Sequence, residues 1–193
     1  MSLPYVILTI LSNRDSTGYD ITKEFSQSIG YFWKASHQQV YRELNKMARN
    51  NLVVSTVVPQ TSKPDRKVYS ITDLGRQTLF EWFQEPAGNP TIRDEVSAKL
   101  LVCSIYDSEP MQKQLESLIE ESYSLLNHYD ALEKVYYSHY RNMTRQSRLE
   151  RLTLRRAIHN RQAWIYWAED VLAELKELDS SENTEQANLR LCV

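Results

Sequence analysis

The sequence predicts a mainly α-helical protein with a small β wing: an N-terminal winged helix-turn-helix followed by a domain of long helices. Three observations carry this. Residues 1–85 switch between helical and β periodicities in the order helix, helix, helix, strand, strand, helix. Beyond the stretch Glu85-Pro-Ala-Gly-Asn-Pro90 the pattern is wholly helical, with two segments of roughly thirty residues. Only 4 glycines and 6 prolines in 193 residues argue against a loop-rich or all-β fold.

In the first half, Leu3, Val6, Ile7, Ile10 and Leu11 fall at helical spacing and give a helix over 3–13. Pro4 sits in its first turn, where the lost N–H has no intrahelical partner anyway. Ser12 to Thr17 reads as a turn. Thr17-Gly18-Tyr19-Asp20 is a capping-box pattern for a second helix, with Ile21, Phe25 and Ile29 on its buried face and Gly30 as C-cap. Tyr31-Phe32-Trp33 is an aromatic link packed under the third helix. That helix starts at Ser36, with Gln39 in the fourth position of a second capping box. Val40, Leu44 and Met47 form its core stripe. Gln38, Arg42, Asn45 and Arg49 lie opposite, flanked by Gln39, Tyr41 and Lys46. Leu52–Val58 and Lys67–Ile71 are β-rich, joined by the polar, proline-containing run Pro59–Arg66. Thr72-Asp73 caps a fourth helix whose apolar set is Leu74, Leu79, Trp82 and Phe83.

The domain boundaries expected from this pattern are 1–85, 86–179 and a polar, frayed tail at 180–193. Asp94–Tyr106 reads as one amphipathic helix. A long helix over about 109–138 carries Leu115, Leu118, Ser122, Leu125, Tyr129, Leu132 and Tyr136 at alternating steps of three and four. Another over about 147–178 carries Ala157, Arg161, Trp164, Ala168, Val171, Leu175 and Leu178. Each spans about 45 Å at 1.5 Å per residue. Helices of that length cannot bury their seams within one compact hundred-residue unit, which predicts a homodimer through coiled-coil-like packing.

Charge points to a partner. The chain carries −2 in all, yet residues 34–76 hold eight Lys and Arg against three Asp and Glu. An acidic total does not bar a nucleic acid, because only the facing patch meets phosphate. The third helix supplies side chains for base edges near its start: Ser36, His37, Gln38, Gln39 and Arg42. Gln can bond adenine bidentately and Arg guanine. Tyr41 and Lys46 are placed for phosphate, and Lys63, Arg66 and Lys67 at the hairpin tip for about three more phosphates per subunit. Each feature has a plainer reading, a solvated helix face or an edge-protecting charged hairpin. Their occurrence in the required order and spacing favours double-stranded DNA.

The remaining motifs point away from chemistry. Arg141, Arg145, Arg148, Arg151, Arg155, Arg156 and Arg161 cluster with only Glu150 opposing. They are expected to pair with Glu116, Glu120, Glu121 and Asp130 on the neighbouring helix rather than form a second nucleic-acid surface. Cys103 is expected as a small buried hydrophobe and Cys192 as an exposed tail residue. Two cysteines so far apart make no disulfide framework or zinc site, and His37, His128, His139 and His159 are scattered. With no P-loop, dinucleotide fingerprint or nucleophile elbow, no enzyme and no cofactor are expected. The apolar start lacks a basic region and cleavage site, and no run is long enough to span a membrane, so a cytoplasmic protein is expected.

The stretch Leu3–Phe83 resembles the PadR family of winged-helix regulators. The resemblance rests on the apolar opening helix, Thr17-Gly18-Tyr19-Asp20-Ile21, Val40-Tyr41-Arg42-Glu43-Leu44 and Asp65-Arg66-Lys67-Val68-Tyr69-Ser70-Ile71-Thr72. In the second half, Ile92-Arg93-Asp94-Glu95 with Lys99-Leu100, and Arg148-Leu149-Glu150-Arg151-Leu152-Thr153-Leu154-Arg155-Arg156, carry it on to about residue 178. The resemblance implies a homodimer whose long C-terminal helices form an antiparallel coiled-coil-like dimerisation domain. It implies control of virulence and quorum-sensing genes, with activation alongside a LysR-type regulator and repression elsewhere. It leaves open a small-molecule effector, for which Tyr31, Phe32, Trp33, Trp82, Phe83, Trp164 and Trp167 are candidate cavity residues against plain core packing. A protein–protein adaptor without DNA is the alternative of a different class.

Overall fold

The computed structural model describes residues 3–27, 29–59, 65–88, 93–138 and 142–191. The chain divides into two compact units, Met1–Pro90 and Thr91–Val193.

In the first unit the order is α1 (Leu3–Asn13), β1 (Ser16–Thr17), α2 (Gly18–Gln27), α3 (His37–Arg49), β2 (Val53–Val58), β3 (Arg66–Ile71) and α4 (Asp73–Gln84). The helix stripes converge on one core. Ile7, Leu8 and Leu11 of α1, Ile21 and Phe25 of α2, and Val40, Leu44 and Met47 of α3 are buried with Val53, Tyr69 and Ile71 of the strands. Trp33 packs against this cluster, as the aromatic link predicts. The sheet is antiparallel with order β1-β3-β2, Ser16 facing Tyr69 and Val53 facing Ile71. β1 takes the last two residues of the turn expected over Ser12–Thr17; two residues become a strand only because β3 lies alongside them. β2 is the outer strand, and Val54, Val57 and Val58 on it are exposed.

α4 begins where Thr72 caps it. The Thr72 hydroxyl accepts from Gly75 N–H at 3.0 Å and donates to Asn51 O at 2.7 Å. Gly75 is required by contact: a Cβ there would sit 2.2 Å from Leu52 O. Asn51 takes a left-handed φ of 56°, a conformation asparagine tolerates better than most residues. Two of the apolar residues predicted for α4, Leu74 and Phe83, point outward, while Leu79 packs on the core and Trp82 stacks on Tyr5 at 4.7 Å. The helix is wider in apolar residues than the face α1 can cover.

The second unit is α5 (Glu95–Val102), α6 (Glu109–Tyr137) and α7 (Arg145–Leu191). α5 is shorter than predicted. Asp94 caps it, and it ends in tight turns where Cys103 N–H bonds Leu100 O and the Ser104 hydroxyl bonds Leu101 O. α6 and α7 pack antiparallel. Met111, Leu115 and Ile119 meet Ala168 and Leu175, with Val96, Leu100, Cys103, Trp164 and Trp167 against them. Cys103 is half-buried rather than buried; Cys192 lies outside the described residues. α7 continues to Leu191 where a frayed tail is predicted from 180. That stretch has no glycine or proline, so each added residue gains a backbone bond with no new nucleation cost. Among the described residues no helix is long and apolar enough to cross a membrane.

The pairing predicted for the arginine cluster is redrawn. Arg151 meets Glu133 at 2.7 Å, Arg161 donates to the Ser122 hydroxyl at 3.1 Å, and Glu116 is held by Lys176 at 2.8 Å. In an antiparallel hairpin Glu116 lies beside the far end of α7, out of reach of its basic start. Arg141 lies outside the described residues.

Candidate nucleic-acid interface

The third helix is built to present one polar side. Ser36 is its N-cap, and both halves of the box form: Ser36 Oγ accepts from Gln39 N–H at 3.2 Å, and Gln39 Oε1 accepts from Ser36 N–H at 2.8 Å. Val40, Leu44 and Met47 anchor the opposite face. His37, Gln38, Arg42, Asn45, Lys46 and Arg49 are consequently exposed along one surface. The cap changes what Ser36 and Gln39 can do. Bidentate bonding to adenine needs a glutamine's carbonyl and its amide together, and the Gln39 carbonyl is committed to the cap. Gln38 and Arg42 carry no such commitment to the fold.

Tyr41 is half-buried against α2. Its ring occupies the space beside Gly18, where a Cβ would meet it at 2.6 Å, and His37 stacks on it at 4.3 Å between centroids. Burial, then the neighbouring Tyr69 and Asp20, raises the Tyr41 pKa above its usual 10. The phenol therefore stays a hydroxyl, able to donate to an anionic oxygen.

The wing reaches the same neighbourhood from β3. Arg66 Nη2 lies 3.3 Å from Asp20 Oδ2, and Lys67 Nζ stands 5.3 Å from the Tyr69 ring centroid. Asp20 closes the α2 capping box, accepting from the Thr17 hydroxyl at 2.7 Å and Thr17 N–H at 3.2 Å. Those bonds from Thr17, with Arg66 and Arg14 nearby, hold its carboxyl below the usual carboxylate range. Arg66 thus ties the wing to the start of α2 while its exposed guanidinium keeps further donors. Lys63 lies outside the described residues.

The structure brings Tyr41, with His37 stacked on it, and Arg66 to the start of α2, while Lys67 stands beside Tyr69 in β3 and Gln38, Arg42 and Lys46 lie along the exposed face of α3. Sequence reasoning missed Gly18 and Asp20 as parts of this site. The capping-box pattern marked Asp20, but its bond to Arg66, 46 residues away, left no local signal. Among the described residues no cluster of His, Cys, Asp and Glu is fit to hold a metal.

Comparison with known proteins agrees with this architecture. Residues 7–81 match the model of the transcriptional regulator PadR-like family, and residues 92–176 match that of the virulence activator alpha C-terminal region. A probable transcriptional regulator of Mycobacterium tuberculosis is 34% identical, over 92% of this chain and 99% of its own length. The structure of the Vibrio cholerae virulence activator AphA is 58% identical, with a TM-score of 0.79 over 92% of this chain and 99% of that one. Bacillus subtilis PadR, solved with operator DNA, is 26% identical with a TM-score of 0.79 over 91% of this chain and 99% of its own. The same protein is also solved with p-coumaric acid. With both halves matched and relatives covering nearly its whole length, this chain belongs to the PadR-like family of transcriptional regulators.

Proposed function

We propose that the chain acts as a homodimer that binds a near-palindromic promoter site, reading bases with α3 and gripping phosphate with the wing. The observation that carries this is the exposed polar face of α3, capped at Ser36, with Tyr41 packed on Gly18 of α2 and Arg66 of the wing joined to Asp20 of that same helix. Gln38 and Arg42 read base edges, with His37 at the helix start. Tyr41, Lys46, Lys63, Arg66 and Lys67 serve the backbone, while Ser36 and Gln39 act chiefly by fixing the helix start. Two such helices related by a two-fold enter successive major grooves about 34 Å apart.

The likeness to AphA at 58% identity supports a role at virulence promoters. Action in the cytoplasm, a place in quorum sensing and a LysR-type partner regulator belong to the same proposal. Gel shifts and footprints on genomic promoter fragments at near-physiological salt test it. Discrete protected sites with two-fold symmetry are expected; failure to shift any fragment leaves an adaptor without DNA as the better reading.

A second reading, a small-molecule-responsive repressor, is supported by the p-coumaric acid complex of Bacillus subtilis PadR. Of the candidate aromatics, Trp33, Trp164 and Trp167 pack on the two cores, Trp82 stacks on Tyr5, and Phe32 and Phe83 are exposed. Tryptophan quenching and DNA release against phenolic acids, lipids and cationic dyes separate the readings.

A further inference from the structure

A carboxylate is an unexpected neighbour for groups that grip phosphate, yet Asp20 stands among them. Its Oδ2 lies 3.3 Å from Arg66 Nη2. Its charge also reaches the Tyr41 phenol, where it adds to burial and to Tyr69 in holding the proton on. Tyr41 and Arg66 are both proposed phosphate ligands, and a negative charge within reach of both repels the phosphate they would bind. The backbone makes this placement. β1 pairs with β3 so that Thr17 faces Val68. Arg66 is two residues from Val68 on the same strand and so shares its side of the sheet. α2 begins at Gly18, directly after β1, which sets Asp20 beside that side.

The carboxylate is anchored. Thr17 donates to Oδ2 through its hydroxyl at 2.7 Å and its N–H at 3.2 Å, and the same hydroxyl accepts from Asp20 N–H at 3.1 Å. Arg14, the other cation close to Asp20, is bonded to Glu24. Of the Asp20–Arg66 pair, then, the arginine is the member that can turn. The cap does not demand the charge, because a neutral amide also serves at that position of a capping box. Stability gains little from the pair: Asp20 and Arg66 are 37% and 49% exposed, and an ion pair so open to water is weak. What the charge does change is the response to DNA. Random duplex attracts a protein through phosphate alone, and an arginine that faces a fixed carboxylate adds little to that attraction. A correctly seated α3 brings phosphate to a fixed place. There Arg66 can hold it while keeping Asp20, since its N–H donors are spread over a planar fork.

We infer that Asp20 is a specificity-determining residue: it keeps Arg66 from serving any passing phosphate and aims it at the one that a seated α3 presents. This rests on the DNA-binding reading and deepens it. Asp20 itself reads no base; it acts through Arg66, as a positioning residue. Selectivity arises here by weakening the wrong complex rather than by strengthening the right one.

The full-length chain tests this on two duplexes of equal length, a fragment protected in footprinting and a random sequence, each titrated across a range of salt. D20N is expected to bind the random duplex about two- to fivefold more tightly, with a salt slope steeper by about one, the share of a single phosphate. On the protected fragment the gain is smaller, so the ratio of the two affinities falls by about twofold or more. In an R66A background the same substitution is expected to leave the ratio where R66A alone puts it, because Asp20 then has no arginine to direct. Urea melts fix conditions in which every variant is folded. An equal gain on both duplexes makes Asp20 a plain repulsive charge and overturns the assignment. Weaker binding to both assigns Asp20 to the cap alone and overturns it as well, as does a fall in the ratio that persists undiminished with R66A. A chain that binds neither duplex removes the DNA reading itself, and this assignment with it.

Discussion

Asp20 shows how a residue chosen for one local purpose comes to serve a distant one. Its carboxylate completes the α2 cap through Thr17 and also meets Arg66 of the wing. Its pKa lies below the ordinary 3.8, chiefly because of the Thr17 hydroxyl. A folded-state value below the unfolded one means that the stabilisation is complete above the unfolded pKa and is lost as pH falls through the folded one. Asp20→Asn should therefore lower stability in urea at neutral pH, with the gap to the unsubstituted chain closing below about pH 4. A gap that stays constant across that range would show that the charge contributes nothing. The capping of α3 separates two glutamines that look alike in sequence. Gln38→Ala should relax base preference with little change in stability. Gln39→Ala should lower stability by roughly 0.5–2 kcal/mol, as loss of part of a cap does, and thermal melts beside binding-site selection distinguish the two. Arg42→Ala should cost about 1–3 kcal/mol on the preferred site; an equal loss on random DNA would make it a phosphate contact. The capping boxes were legible because their residues lie three apart. The packing of Gly18 on Tyr41 was not, since it joins two helices whose approach is settled only by the shared core.

Among the elements, the wing and the start of α4 carry the sharpest expectations. Gly75 lies where α4 presses on the entry to β2, and the added methyl of Gly75→Ala would meet backbone that has no rotamer to adopt. A loss of roughly 1–3 kcal/mol is expected, as for other overpacked sites, read as a lowered urea midpoint with unchanged slope. Lys67→Ala should weaken binding to all sequences and reduce the salt slope by about one unit; an unaltered slope would remove Lys67 from the phosphate contacts. Helices with a strong stripe, α1, α3 and α6, lie within a residue or two of the bounds expected, because their period is regular and, in α3, a capping box marks the start. α5 and the end of α7 were not. α5 stops at turns over Cys103–Tyr106 that no glycine or proline marks in the sequence, and α7 continues through residues that permit a helix without demanding one. Leu74 and Phe83 turned outward because periodicity shows which residues share a face of α4, whereas the extent of the surface across from them decides how much of that face is covered.

At the scale of the whole molecule the sequence announced two units and their order, since core stripes and charge balance both change near residue 90. The arrangement of charge on the second unit was only half legible. The arginines are plain, but three of the four acidic neighbours expected for them, Glu116, Glu120 and Glu121, lie in the other half of α6, because register in an antiparallel hairpin depends on where the turn falls. One further consequence follows from the order β1-β3-β2. β2 ends the sheet with a run of uncharged, mostly β-branched residues, Val-Val-Ser-Thr-Val-Val, and no described strand pairs with its outer side. Such a border, with no lysine or proline before Pro59 at its end, is a template on which an unfolded or concentrated chain can lay down further strands. In crowded preparations, sheet-on-sheet aggregation should begin there, and a single lysine at Val57 should delay it.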